Sequence, residues 1–173
     1  IGLDRWILNQ TPERLARFAP GMRTQPPTLD LQEEAFRWQL DLARERSVSA
    51  TLHCLDAFGR MLEILENRGP QPRGLLLHSY GGSVESGAAF ARHGAYFGYA
   101  GYFAHERKQA RRDVFAQLPL DRILVETDAP DQLPPPALQT HACHGPDGSV
   151  INHPANLGAI YESLATVRGM SLD

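Results

Sequence analysis

The sequence predicts an α/β protein with a parallel sheet, on two observations. Short apolar, β-preferring runs alternate along the chain with amphipathic stretches of helical period. A short turn follows each run, so helices must carry the crossovers between parallel strands. A third observation places the chemistry. Ile123–Pro130 runs three apolar residues into Glu126, Thr127 and Asp128 before Pro130 stops any pairing. In parallel sheets, functional groups gather at this C-terminal end of the strands.

Ile1–Trp6 reads as a strand end with Asp4 at its tip. Asn9–Thr28, with Pro12, Pro20, Pro26 and Pro27, reads as a linker or active-site loop, made locally basic by Arg5, Arg14, Arg17 and Arg23. Asp30 is the expected N-cap of the first long helix, with Glu33 completing a capping box. Leu31, Ala35, Trp38 and Leu42 follow at helical spacing to about Glu45. Val48, Ala50 and Leu52 form a short β run ending on His53. Ala57, Met61, Ile64 and Leu65 mark a second helix, closed by Gly69 and Pro70. Gly74–Leu77 is a continuous apolar run, as in a strand covered on both faces, and it ends on His78.

Gly81 and Gly82 predict a tight turn, after which Ser83 caps a helix carrying Val84, Ala88 and Ala91. Ala95–Gly101 alternates aromatic and small residues and reads as a strand. A polar helix from about His105 to Gln117 carries Lys108, Arg111 and Arg112, and Arg122–Thr127 is the last full strand. Asp131–Asn152, rich in Pro and Gly, reads as a loop. Asn152 and Pro154 open a final helix with Leu157, Ile160, Tyr161, Leu164 and Val167 as its buried side and Gly169 at its end.

A length of 173 residues suits one domain, 1–173, with a sizeable core. The 42% hydrophobic and 21% charged fractions are those of a soluble globular protein. A net charge of −3 gives no global basic field, so nucleic-acid contact requires a local patch; Lys108, Arg111 and Arg112 could supply one, with a solvated helix face as the favoured reading. Cys54 and Cys143 make no disulfide framework. With no signal peptide visible, a reducing, cytoplasmic compartment is expected. No apolar run is long enough to span a membrane. The chain opens on Ile1 in what reads as a strand end, so it is expected to begin in mid-fold.

His53, His78 and Asp128 share one address, at or just past the C-terminal end of a predicted strand. Two imidazoles and a carboxylate suit a divalent ion such as Mg, Mn or Zn, and such a site lowers the pKa of a bound water. His141, Cys143, His144 and His153 match no zinc module and read as loop residues. Tyr80, Tyr99 and Tyr102 are candidates for stacking on bases, Tyr99 being the one expected in the core. His105, beside Glu106, is a candidate for a substrate phosphate, with a solvated helix start as the alternative. Cys54 reads as a buried small residue.

Gly-Leu-Asp at 2–4, Leu-His-Cys at 52–54, His-Ser-Tyr-Gly-Gly at 78–82, Glu-Thr-Asp-Ala-Pro at 126–130 and Asn-His-Pro-Ala-Asn at 152–156 resemble the TatD family of metal-dependent hydrolases in order and spacing. The similarity covers essentially the whole chain. It implies a TIM (β/α)8 barrel of the amidohydrolase type, hydrolysis of phosphodiesters, usually in DNA, and a site of one to three divalent metals. It implies His53 as the ligand from strand five and His78 as that from strand six. Asp128, from strand eight, would bind metal and orient or deprotonate the attacking water. Tyr80 and His105 are the expected substrate-binding residues.

The family's first-strand His-x-His pair has no counterpart here, and its Glu before Ile-Gly-Leu-Asp falls ahead of Ile1. The expectation is therefore the C-terminal half of the barrel, from the end of strand four through strand eight and the last helix. The leading expectation for activity is a TatD-type deoxyribonuclease acting on DNA or another phosphodiester. The alternatives are hydrolysis of a small amide or lactone, which barrels of this type also perform, and a non-catalytic half barrel acting as a scaffold.

Overall fold

The computed structural model describes residues 1–11, 13–15 and 27–171. Five strands, β1 (Gly2–Asp4), β2 (Ala50–Leu55), β3 (Leu75–Leu77), β4 (Ala95–Ala100) and β5 (Ile123–Glu126), form one parallel sheet in sequential order. Helices α1 (Leu29–Glu45), α2 (Phe58–Arg68) and α3 (Val84–Arg92) make the first three crossovers. Two 3-10 turns and α4 (Gln109–Phe115) lead from β4 towards β5, and α5 (Leu157–Arg168) follows the sheet. The β-α alternation read from the sequence thus gives the parallel sheet expected of it.

Strand alternation sorts the sheet into two faces. Ala50, Leu52, Cys54, Leu75, Leu77, Ala95, Phe97 and Tyr99 join one core with Phe36 and Leu40 of α1, Met61, Ile64 and Leu65 of α2, Phe90, Phe115 and Ile160. The intervening Thr51, His53, Leu76, Tyr96, Leu124 and Glu126 are exposed or half-buried. Leu75–Leu77 is therefore covered on one face only, because Leu76 belongs to this second set. The same alternation keeps His53 and Glu126 out of the hydrophobic core.

Several expectations are corrected. The N-cap of α1 is Thr28, whose hydroxyl accepts a hydrogen bond from the Leu31 amide, and not Asp30. Glu33 forms no capping box. It is buried against α2, where Arg60 grips it with two bonds of 2.5 and 2.8 Å. The buried stripe of α1 is Phe36, Leu40 and Ala43, while Leu31 and Trp38 are 56% and 64% exposed. Apolar residues recur at helical spacing on both faces of this helix, so periodicity alone does not choose the inner one. In α5, Ala159, Ile160 and Leu164 are buried and Tyr161 is 47% exposed. The polar helix after β4 is shorter than expected, a 3-10 turn at Glu106–Lys108 leading into α4.

Asp131–Asn152 contains a small antiparallel ribbon, β6 (Cys143–His144) with β7 (Val150–Ile151). Its turn is closed by the Ser149 amide donating to Asp147 Oδ1 at 3.0 Å, with Gly148 at φ 80°. Of the basic loop, Pro12, Arg17, Pro20, Arg23 and Pro26 lie outside the described residues. A 3-10 turn, Trp6–Asn9, leads into it, and the Arg14 guanidinium lies 5.3 Å from the Trp6 ring centroid. Among the described residues no helix is long and apolar enough to cross a membrane.

Candidate metal centre

The C-terminal ends of β1, β2, β3 and β5 bring Asp4, His53, His78 and Asp128 into one line of contacts. Asp4 ends β1, and its backbone is fixed from both sides by Gln32 of α1, which accepts from the Asp4 amide at 2.7 Å and donates to its carbonyl at 3.1 Å. Asp4 Oδ1 accepts from the Ile7 amide at 2.9 Å, and Oδ2 lies 3.2 Å from His53 Nε2. The other nitrogen of His53, Nδ1, faces His78 Nε2 across 3.1 Å. His78 Nδ1 then faces Asp128 Oδ1 at 3.5 Å. All four side chains are partly open to solvent.

The proton count along this line bears on a cation. A carboxylate accepts only, so Asp4 draws the His53 proton to Nε2, and Asp128 draws the His78 proton to Nδ1. Two neutral imidazoles then present inner lone pairs to each other 3.1 Å apart. Such lone pairs repel each other unless a proton is shared or both nitrogens turn towards a common cation. Neutral imidazole nitrogens are donors that borderline divalent ions take, so His53 and His78 are residues that would hold one. The His78 pKa is raised, chiefly by its interaction with Asp128 and against the opposing effect of burial.

Glu126 joins His78 and Asp128 in a candidate donor group. Ligand atoms of His78, Glu126 and Asp128 all lie within 4.8 Å of one another. Burial raises the Glu126 pKa, the Ser79 amide that donates to Oε1 opposes this, and the nearby Asp128 charge adds to the rise. Imidazole nitrogens with two carboxylates in a partly dehydrated pocket are a fitting ligand set for a divalent ion.

Asp128 lies past the end of β5 in a loop held from behind. The Asn152 amide N–H donates to the Pro130 carbonyl at 2.9 Å, and its side chain donates to the carbonyls of Thr127 at 2.7 Å and Asp131 at 3.1 Å. Asn152 is itself 1% exposed and accepts from Asn156 Nδ2 at 3.2 Å. The segment 152–156 therefore supports the Asp128 loop from the start of the last helix.

Of the three sequence-predicted ligands, His78 and Asp128 stand together with Glu126, while His53 lies outside that group of three and reaches it through His78. Tyr80 is a correction. It is 1% exposed, its ring packs against Phe58, Phe97 and Phe115, and its hydroxyl donates to the Ser83 carbonyl at 2.8 Å, leaving no face for a base. Tyr99 is core, as expected. His105 bonds the Leu133 carbonyl at 3.0 Å and is not in the cluster of three.

The basic helix is not simply a solvated patch. Arg112 ties down the carbonyls of Phe103 and His105, Arg111 donates to that of Gly81, and Lys108 lies 4.9 Å from the Tyr102 ring centroid. His141 and His153 stack at 5.6 Å, yet among the described residues their segment supplies no three-ligand group. The Cys54 thiol is pushed up to about 12 by burial, which suits a core residue. Asp4 and Glu126 were not among the predicted ligands. Asp4 has the same strand-end address as His53, and Glu126, the last residue of β5, has it too.

A parallel sheet with crossover helices, and with imidazoles and carboxylates at its strand ends, defines an α/β protein with a candidate metal centre. The chain belongs to the TatD related DNase family, whose profile matches residues 1–173. It is 36% identical over 143 residues to the 3'-5' ssDNA/RNA exonuclease TatD of Enterobacter lignolyticus, covering 82% of this chain and 53% of that protein. The Escherichia coli protein of the same name is 33% identical over the same shares. Among solved structures, YJJV, a TatD homologue from Escherichia coli, superposes with a TM-score of 0.72 at 24% identity, covering 96% of this chain and 54% of that one. A TatD family hydrolase from Entamoeba histolytica gives 0.66 at 17% identity, covering 83% and 52%. The chain spans about half the length of the curated relatives it matches.

Proposed function

We propose that this chain carries the strand-end ligands of a metal-dependent nuclease that hydrolyses phosphodiester bonds, with single-stranded DNA or RNA as substrate and 3'-5' exonucleolytic action as in the relatives' names. The observation that carries the reading is the pair of carboxylate-backed imidazoles whose inner nitrogens converge at 3.1 Å.

His53, His78, Asp128 and Glu126 are the residues that would hold the ion. When bound, a divalent ion neutralises charge on a phosphate oxygen and makes a nearby water more acidic. Asp4 keeps the His53 proton on Nε2, so that Nδ1 offers its lone pair. Asp128 keeps the His78 proton on Nδ1 in the same way, and its carboxylate retains lone pairs to orient or deprotonate the attacking water. Mg, Mn and Zn all suit such ligands, and a reducing, cytoplasmic setting accords with two free cysteines.

The test is calorimetric titration of the purified chain with Mn²⁺ and Zn²⁺, followed by digestion of a 5′-labelled single-stranded oligonucleotide. Saturable binding that His78→Ala abolishes, with cleavage lost to EDTA, is the expected result. Cleavage that survives EDTA and Asp128→Asn would refute the reading.

A further inference from the structure

We infer that Ser79 and Gln132 form a bridge that sets the orientation of both acidic ligands, making them positioning residues of the metal centre. The inference rests on the reading of Glu126 and Asp128 as ligands. Ser79 follows His78 at the end of β3, and Gln132 lies four residues past Asp128 in the loop after β5, so the bridge links two different segments.

The Ser79 hydroxyl stands 3.0 Å from Gln132 Nε2 and 3.1 Å from its Oε1. At one end of the bridge the Ser79 amide donates to Glu126 Oε1; at the other the Gln132 amide donates to Asp128 Oδ2. With Oδ2 occupied, Oδ1 is the oxygen left facing His78 Nδ1. A metal ligand of this kind would rotate freely on its χ angles if nothing held its second oxygen, and outer hydrogen bonds are what fix such ligands.

The backbone points the same way. Five non-glycine residues among those described have positive φ, and three of them are Ser79 at 46°, Asp128 at 55° and Gln132 at 48°. Each is in the left-handed region that side chains disfavour. Strain concentrated on a ligand and both of its supports marks a site whose geometry is imposed from outside.

Two variants isolate the bridge. Gln132→Met keeps length and removes the amide donor. Ser79→Gly keeps the backbone N–H to Glu126, suits positive φ and removes only the hydroxyl. Crystal structures of the metal-free variants should show the Asp128 carboxylate turned from its place in Gln132→Met, and Mn²⁺ affinity should fall roughly 10–100-fold. The double variant should lose less than the product of the two single losses. An Asp128 orientation unchanged in Gln132→Met, or Mn²⁺ affinity within twofold of the parent, would overturn the bridge. Should the parent chain itself bind no Mn²⁺, the metal reading fails, while the Asp128 orientation in the variants still decides the bridge.

Discussion

Gly98 on β4 leaves the space that the carboxylate of Glu126 occupies: a Cβ at residue 98 would lie 2.2 Å from Oε1. The neighbouring register pair Ala100–Glu126 holds the two strands at that approach. Gly98 is not at positive φ, so close approach and not backbone freedom requires it. Gly98→Ala is expected to push Glu126 aside. Overpacking of this kind costs about 1–3 kcal/mol, and a displaced ligand lowers metal affinity roughly tenfold or more. Thermal melts with Mn²⁺ titration test this, and unchanged Mn²⁺ affinity would show that Glu126 lies outside the ligand set.

The Glu33–Arg60 pair predicts a pH dependence of stability remote from the metal centre. The hydrogen bond from Arg60 holds the Glu33 carboxyl below its ordinary value of 4.5, against the effect of burial. Between those two values the unfolded chain binds the extra proton, so stability rises with pH there. The contribution is complete above about 4.5 and is lost as pH falls through the lowered folded-state value. Glu33→Gln should therefore melt several degrees lower than the parent at pH 7, with the gap closing as pH drops below 4. Melting curves of both proteins from pH 7 to pH 3 provide the check, and a constant gap would discount the ion pair.

How much of this was legible in the sequence depended on how local each signal was. His53, His78 and Asp128 each end a β run, and a strand end is readable from a few residues. Glu126 is the last residue of β5, yet Asp128, two residues on and next to the strand-stopping Ala-Pro, drew the strand-end reading instead. The inner face of α1 was not legible, since Leu31 and Trp38 repeat at the same period as Phe36 and Leu40, and only tertiary packing distinguishes the two sets. The β6–β7 ribbon has two-residue strands, too short to show any period. Tyr80 was misplaced because its neighbours in sequence, His78 and Gly81, belong to a site-facing loop. Its ring instead turns back onto Phe97 of β4, 4.8 Å away between centroids.

Tyr80 accordingly yields a prediction that separates packing from substrate contact. Tyr80→Phe removes one hydrogen bond to the Ser83 carbonyl, worth about 0.5–1.5 kcal/mol, and keeps the ring among Phe58, Phe97 and Phe115. KM for an oligonucleotide should not change. Tyr80→Ala should cost about 3–5 kcal/mol through the cavity it leaves. A tenfold rise in KM for Tyr80→Phe, with stability intact, would return this residue to the substrate face.

Asn152 provides the sharpest structural test of how the Asp128 loop is held. Its buried side chain donates to the carbonyls of Thr127 and Asp131 and accepts from the buried Asn156. Asn152→Ala strands those partners, and each buried polar group left unpaired costs about 1–3 kcal/mol. Asn152→Asp keeps the acceptor for Asn156 but turns a negative oxygen on two carbonyls, so it should be no milder than alanine. Urea unfolding should show a lower midpoint at unchanged m-value for both. Hydrogen exchange should show faster opening at the Ala129 and Asp131 amides than at β2, since the clamp acts on the loop and not on the sheet. Equal acceleration at β2 would mean that Asn152 supports the whole fold and that the 127–132 loop is held by its own turn, through contacts such as the Ala129 amide on Thr127 Oγ1 at 3.3 Å.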